Sequence, residues 1–219
     1  MNNTIQFLKA IKQHNSKEWF DTHKENYLSA KAEYEVLVDK LIKGIARFDK
    51  QVSPEMKAKD CTFRIYKDVR FSKDKTPYKT NMGASINPGG KKSLVAGYYF
   101  HLEPGASFIA GGAYMPEPAI LSAIRQEIDY NPAPLLKTLK SAAFKKYFKG
   151  LDEEDKLKTV PKGFAKDHPQ IELLKNKHFI VSHDIPDKLL TGNQLAESLL
   201  SGFKAMHPFL LYLREAQEK

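Results

Sequence analysis

Cysteine occurs once in this 219-residue chain, at Cys61, which excludes an intrachain disulfide and any metal site built from several cysteines. A lone cysteine beside a strand-like run reads as a small buried apolar residue. No stretch of about 18 apolar residues is present, so no membrane span is expected. Residues 1–16 mix Asn, Gln, Lys and His where a signal peptide has its apolar segment, and the expected location is the cytoplasm. Also missing are a glycine-rich phosphate loop followed by Lys-Ser/Thr, His-Glu-x-x-His and Gly-x-Ser-x-Gly. Nor is there a strand, glycine-rich turn and helix in the order a dinucleotide needs. Familiar hydrolase and nucleotide-binding chemistries therefore lack their marks. No metal is expected, and nothing identifies a cofactor or an oligomeric state.

Positive charge is in excess, but only locally. The formal net charge is +9, and Lys57–Lys92 holds ten Lys and Arg against Asp60, Asp68 and Asp74, so it carries seven of the nine net charges. Each flank contributes one. Charge focused in this way raises the local potential and draws anions in a salt-dependent manner. With 42% hydrophobic residues, the chain is long enough to bury a sizeable core.

Hydrophobic spacing divides the chain into three parts. Residues 1–50 read as helical: a short helix ends near His14, and a long amphipathic helix runs from Asn15, which can cap with Glu18, with Trp19, Phe20, His23, Tyr27, Ala30, Tyr34, Leu37, Val38, Leu41, Ile45 and Phe48 recurring at three- and four-residue steps. Aromatic residues at that spacing belong more often to a core than to a ligand cleft. Residues 60–115 are strand-rich. Phe63, Ile65, Val69 and Phe71 alternate with Arg64, Tyr66, Asp68 and Arg70, a two-residue period. Met82–Asn87 reads as a short strand, and Leu94–Glu103 with Phe108–Tyr114 as a hairpin through Pro104-Gly105. Gly97, Gly111 and Gly112 suggest bulges or close approach of another group. Residues 116–219 are mainly helical, interrupted at Asn131-Pro132, with one late strand near His178–His183. The expectation is a single α+β domain over 1–219, with a mostly antiparallel central sheet, flanking helices, a long N-terminal helix and a helical C-terminal part.

The basic stretch is where chemistry is expected. In an extended strand Arg64, Tyr66, Asp68 and Arg70 stand on one face, successive members about 7 Å apart. Asp68 would then lie between two guanidinium groups, with a lowered pKa, and would orient them for bidentate contact to phosphate or carboxylate. The turn formers that follow would fold Lys73, Lys75 and Lys79 back towards that strand, with Tyr78 beside them. The bland alternative is a sheet edge blunted by solvated charge. Basic residues interleaved with aromatics suit both nucleic acid and a phosphorylated small molecule.

The run Arg64-Ile-Tyr-Lys-Asp-Val-Arg-Phe-Ser-Lys-Asp-Lys-Thr-Pro-Tyr-Lys79 resembles the signature of domain-of-unknown-function family 2461, a widespread and largely bacterial group. Asn15–Phe20 with Tyr27 resembles that family's N-terminal Trp-Phe helix motif. Gly97–Pro104 with Gly111-Gly112 resembles its central hairpin, and Pro161-Lys-Gly-Phe with Asp167-His-Pro169 its C-terminal block. The resemblance covers nearly the whole chain and implies a single α+β domain, with no activity attached.

A second cluster lies on the first hairpin strand, where Tyr99, His101 and Glu103 share a face. Two ligands are too few for a metal, so His101 reads first as a hydrogen-bonded residue of a half-buried sheet. Beside Asp68 and the two arginines, however, His101 and Glu103 would resemble a phosphoester site. His178 and His183, five residues apart in a strand, fall on opposite faces and cannot ligate jointly. The leading expectation is a protein that binds a phosphate-bearing or carboxylate ligand through Arg64, Tyr66, Asp68, Arg70, Lys73, Lys75, Tyr78 and Lys79. The alternatives are a phosphoester-processing enzyme using Asp68, His101 and Glu103, and a module that docks on an acidic protein.

Overall fold

The computed structural model describes residues 1–153 and 155–218. Helices α1 (Asn2–Gln13), α2 (Lys17–Thr22) and α3 (Lys24–Ile45) open the chain, followed by the short α4 (Ala58–Cys61). Strands β1 (Met82–Ile86), β2 (Gly97–Leu102) and β3 (Phe108–Ala113) come next, and then α5 (Pro118–Tyr130), α6 (Ala133–Lys140), α7 (Ala142–Lys145) and α8 (Ile171–Leu174). Strand β4 (Phe179–Asp184), the short α9 (Asp187–Leu190) and the long α10 (Leu195–Glu218) complete it. The architecture is α+β.

The sheet has the order β1-β2-β3-β4, antiparallel throughout. Each strand alternates between a helix-covered face and a second, more open one, as a two-residue period requires. On β2, Tyr98, Phe100 and Leu102 are fully buried, whereas Tyr99 and His101 are half-buried. Helices α3 and α10 cover the first face: Tyr34 of α3 donates to the Phe100 carbonyl at 3.2 Å. Gly111 on β3 faces α10 so closely that a Cβ would meet the Met206 sulfur. Gly112, at φ +136°, has its missing Cβ aimed at the Phe179 carbonyl of β4, and a Cβ at Gly97 would meet the Asn87 side chain. These glycines permit close approach within the fold.

Two expected elements differ. The N-terminal helix does not begin at Asn15. Ser16 caps α2 instead, its hydroxyl accepting from the Trp19 N–H at 3.2 Å, and the chain breaks again at His23 before α3. Serine caps a helix as well as asparagine does, and Asn15 is left for a tertiary role. The run Phe63–Phe71 is not a strand of the sheet. Its one isolated bridge is Tyr66 to Tyr78, with another at Thr62 just before it; of its apolar positions Ile65 alone is buried, and Phe71 is 96% exposed. Alternation by itself does not make a strand where no buried surface receives the apolar side. Cys61 is fully buried, and burial pushes its thiol up to about 12, as befits a small apolar core residue. No helix among the described residues is long and apolar enough to cross a membrane.

Candidate functional site

Residues 64–79 form a two-armed hairpin that springs from the end of the sheet just before β1. Its arms pair through Lys67 N–H to the Pro77 carbonyl at 2.9 Å and Lys79 N–H to the Ile65 carbonyl at 2.8 Å. Aromatic stacking seats the base: Phe20 lies flat on Tyr78, ring centroids 4.1 Å apart, and touches Tyr66 at 5.8 Å. Tyr78 is buried and Tyr66 about half exposed. The N-terminal aromatic cluster is therefore a foundation for the hairpin as well as core.

Internal bonds order the tip. Lys67, which interrupts the apolar side of the sequence pattern, donates its ammonium to Asp74 at 2.7 Å and to Thr76 at 2.6 Å. That bond, with the Thr76 amide and hydroxyl, holds the Asp74 carboxyl well below the usual carboxylate range. Lys75 donates to the Val69 carbonyl at 3.0 Å. Arg70 grips Asp68 through Nε at 2.9 Å and Nη2 at 2.7 Å. The Asp68 carboxyl is lowered first by that side-chain bond, then by the Arg70 backbone amide, with the charge of Arg64 a smaller contribution.

The expected arrangement is thus only partly present. Asp68 orients one arginine, Arg70, rather than standing between two. Arg64 and Lys73 are exposed and, among the described residues, have no hydrogen-bond or ion-pair partner. Lys79 sits at the base over the Phe63 ring, 5.7 Å from its centroid, with its pKa lowered by burial and by the neighbouring charge of Arg64. These groups line the outside of a projecting hairpin, with Phe71 exposed next to Arg70, whose guanidinium carbon is 5.9 Å from the ring centroid.

Tyr99, His101 and Glu103 bond to one another on β2 and just past its end. His101 Nε2 is 3.2 Å from Glu103 Oε2, and Tyr99 Oη is 3.1 Å from His101 Nδ1. A carboxylate only accepts, so in the neutral ring Nε2 carries the proton and Nδ1 accepts from the Tyr99 hydroxyl. Thr80 donates to the other Glu103 oxygen at 2.8 Å. Burial, with Tyr114 nearby, pushes the Tyr99 phenol up to about 12. Asp68 takes no part; its carboxylate is engaged by Arg70. No group of three or more His, Cys, Asp and Glu among the described residues is arranged to hold a metal ion. His178 and His183 have separate surroundings, the first against Asp155 and Tyr114, the second against Tyr147 and Phe148.

One polar cluster has no local signal in the sequence. Arg214 of α10 is buried, donating Nη1 to Asp49 Oδ2 at 2.8 Å and Nε to the Ala96 carbonyl at 2.7 Å. Tyr98 donates to the same Asp49 oxygen at 2.8 Å, and His207 lies 3.8 Å from the other. This network ties the segment after α3, the start of β2 and α10 together on the helix-covered side, and Asp49 and Arg214 are 165 residues apart.

The profile of a family described as conserved hypothetical protein (DUF2461) matches residues 3–212. No curated protein and no solved structure matches the chain.

Proposed function

We propose, from the premise that this chain belongs to the conserved hypothetical protein family DUF2461, that the hairpin of residues 64–79 docks the protein on an anionic polymer, single-stranded nucleic acid in the first instance. The observation that carries this reading is Phe71, 96% exposed at a hairpin tip whose neighbours are Arg70, Lys73 and Lys75. An aromatic face beside a guanidinium offers a base something to stack on, while flanking ammonium groups follow the phosphates. The surface-exposed Asp68–Arg70 pair is little obstacle, since such pairs are weak in water and a phosphate can compete for the same fork. The open setting of the hairpin favours a polymer over an enclosed small phosphate ester. A phosphoester-processing site drawing on Asp68 together with His101 and Glu103 is less well supported, because Asp68 bonds to Arg70 and the other two bond to each other.

Titration of a labelled oligothymidylate at about 50 and about 200 mM salt is the test, with affinity expected to fall steeply over that interval. Arg70→Ala and Phe71→Ala should each weaken binding severalfold. Absence of binding, or binding indifferent to both substitutions, removes the proposal. Recovery of a protein partner through this hairpin from nuclease-treated extract, with no oligonucleotide binding, would establish the acidic-partner reading in its place.

A further inference from the structure

The open face of the sheet carries a cleft of about 1050 Å³, floored by Tyr99, Ala110 and Ser182 and walled by Phe63, Tyr114 and Met115. Sites for small organic ligands occupy about 300–1,000 Å³. Phe63, Leu94, Tyr114 and Met115, four of the large apolar side chains that the fold leaves exposed, gather at its edge. Apolar exposure concentrated in one place marks a binding surface, whereas scattered exposure does not.

The wall is also built under strain. Met115 has φ 45°, and no other non-glycine among the described residues has a positive φ. Its amide donates to His178 Nδ1 at 3.1 Å; that ring stacks with Tyr114, centroids 5.5 Å apart, and its Nε2 is 3.2 Å from Asp155 Oδ2. A sparsely populated backbone conformation held by several contacts is a feature of functional sites.

Charge in the cleft opposes that of the chain. Glu117, Asp152, Glu153 and Asp184 line it, and among the described residues Lys91 is the one base there. The Lys91 ammonium is committed to the Lys59 and Thr62 carbonyls, each at 2.7 Å. Two of the acids are also committed, Glu153 to Lys156 at 2.6 Å and Asp152 as acceptor from the Ser182 hydroxyl at 3.0 Å. The side chains of Glu117 and Asp184 have no hydrogen-bond or ion-pair partner among the described residues. On the floor, the Tyr99 hydroxyl is turned to His101 Nδ1 at 3.1 Å, which leaves the ring as the part of this side chain that the cleft offers.

Aromatic faces and carboxylates are together the complement of a cation with an apolar body. We propose that this cleft binds an organic cation, its aromatic or branched apolar part against Phe63, Tyr99 and Tyr114 and its ammonium or amidinium group directed to Asp184, which pairs with Phe108 two positions along the strand from the Ala110 floor. The site is distinct from the hairpin and stands whether or not the hairpin binds a polymer.

Three probes that share the indole ring system and differ in charge test it: tryptamine, tryptophol and indole-3-acetate, followed through amide chemical shifts of the protein at neutral pH and low salt. Tryptamine should give saturable shifts at Gly97, Gly112 and Ser182, with affinity about tenfold above tryptophol and indole-3-acetate weaker still. Asp184→Asn should lower tryptamine affinity severalfold and leave tryptophol unchanged, whereas Tyr114→Ala should weaken both. Both side chains are exposed, so the fold should survive, as an unchanged melting temperature would show. No saturable shift in the cleft with tryptamine, equal affinity for the three probes, or indifference to Asp184→Asn overturns the assignment.

Discussion

Asn15 clasps the peptide of Tyr78 from both sides: its Nδ2 donates to the Tyr78 carbonyl at 2.9 Å, and the Tyr78 N–H donates to its Oδ1 at 3.0 Å. An amide side chain here does the work of a neighbouring strand. It fixes the second arm of the hairpin to the turn between α1 and α2, and the Phe20–Tyr78 stack lies over the same joint. The hairpin is consequently presented as an ordered projection, and little conformational entropy remains to be lost when it binds.

Asn15→Ala removes both bonds and leaves the partly buried Tyr78 peptide groups short of partners, at a cost of about 1–3 kcal/mol. The loss should be local. Hydrogen exchange at Tyr78 and Lys79 should accelerate far more than at β2 or β3, and oligonucleotide affinity should fall although no charge is touched.

Hairpin substitutions should separate into two kinds. Arg64→Ala or Lys73→Ala removes a positive charge and should reduce the slope of log affinity against log salt by about 1 if that group contacts a phosphate. Phe71→Ala should cost about 1–3 kcal/mol through lost stacking and leave the slope nearly unchanged. Salt series on the three variants distinguish charge contact from stacking.

Breaking the buried pair should be severe. Asp49→Ala leaves the Arg214 guanidinium buried without its carboxylate, and one Arg214 nitrogen, Nη2, already has no hydrogen-bond partner. The expected loss is about 3–5 kcal/mol, read as a fall in the urea midpoint with an unchanged slope.

The same network should make the protein acid-sensitive in two steps. Burial pushes the His207 imidazole below its ordinary value of 6.5, and Arg214 adds to that while Asp49 opposes it. The unfolded chain therefore takes up this proton before the folded one, so stability falls as pH drops below about 6.5. For Asp49, burial pulls upwards, but the Arg214 and Tyr98 bonds win and hold its carboxyl below the ordinary 3.8. Its contribution is complete above that value and is lost as pH falls through the lower folded one. His207→Gln should flatten the first step and leave the second, which urea midpoints across the acid range will show.

Gly112→Ala should be among the most damaging small substitutions. A Cβ at φ +136° collides with the Phe179 carbonyl, and β3 must either shift off β4 or stay strained, at about 2–5 kcal/mol. Thermal unfolding compared with Gly105→Ala, where the φ is also positive but open space surrounds the site, separates the collision from the backbone preference.

Spacing alone determined the α+β class, the β2–β3 hairpin, the late strand and the helix break at Asn131-Pro132, because period and turn chemistry are properties of neighbours in the chain. It also located the charge, and with it the Asp68–Arg70 pair, whose members are two residues apart. What tertiary structure decided is everything that depends on distant partners. Phe63–Phe71 has the alternation of a strand, yet no sheet surface receives Val69 and Phe71, and the run became the first arm of the 64–79 hairpin. Asn15 could have capped a helix, but Ser16 filled that role and Asn15 bonded to Tyr78 instead. The Asp49–Arg214 pair and the acidic, aromatic cleft on the open sheet face are assembled from segments that only folding brings together, so no local pattern announces them.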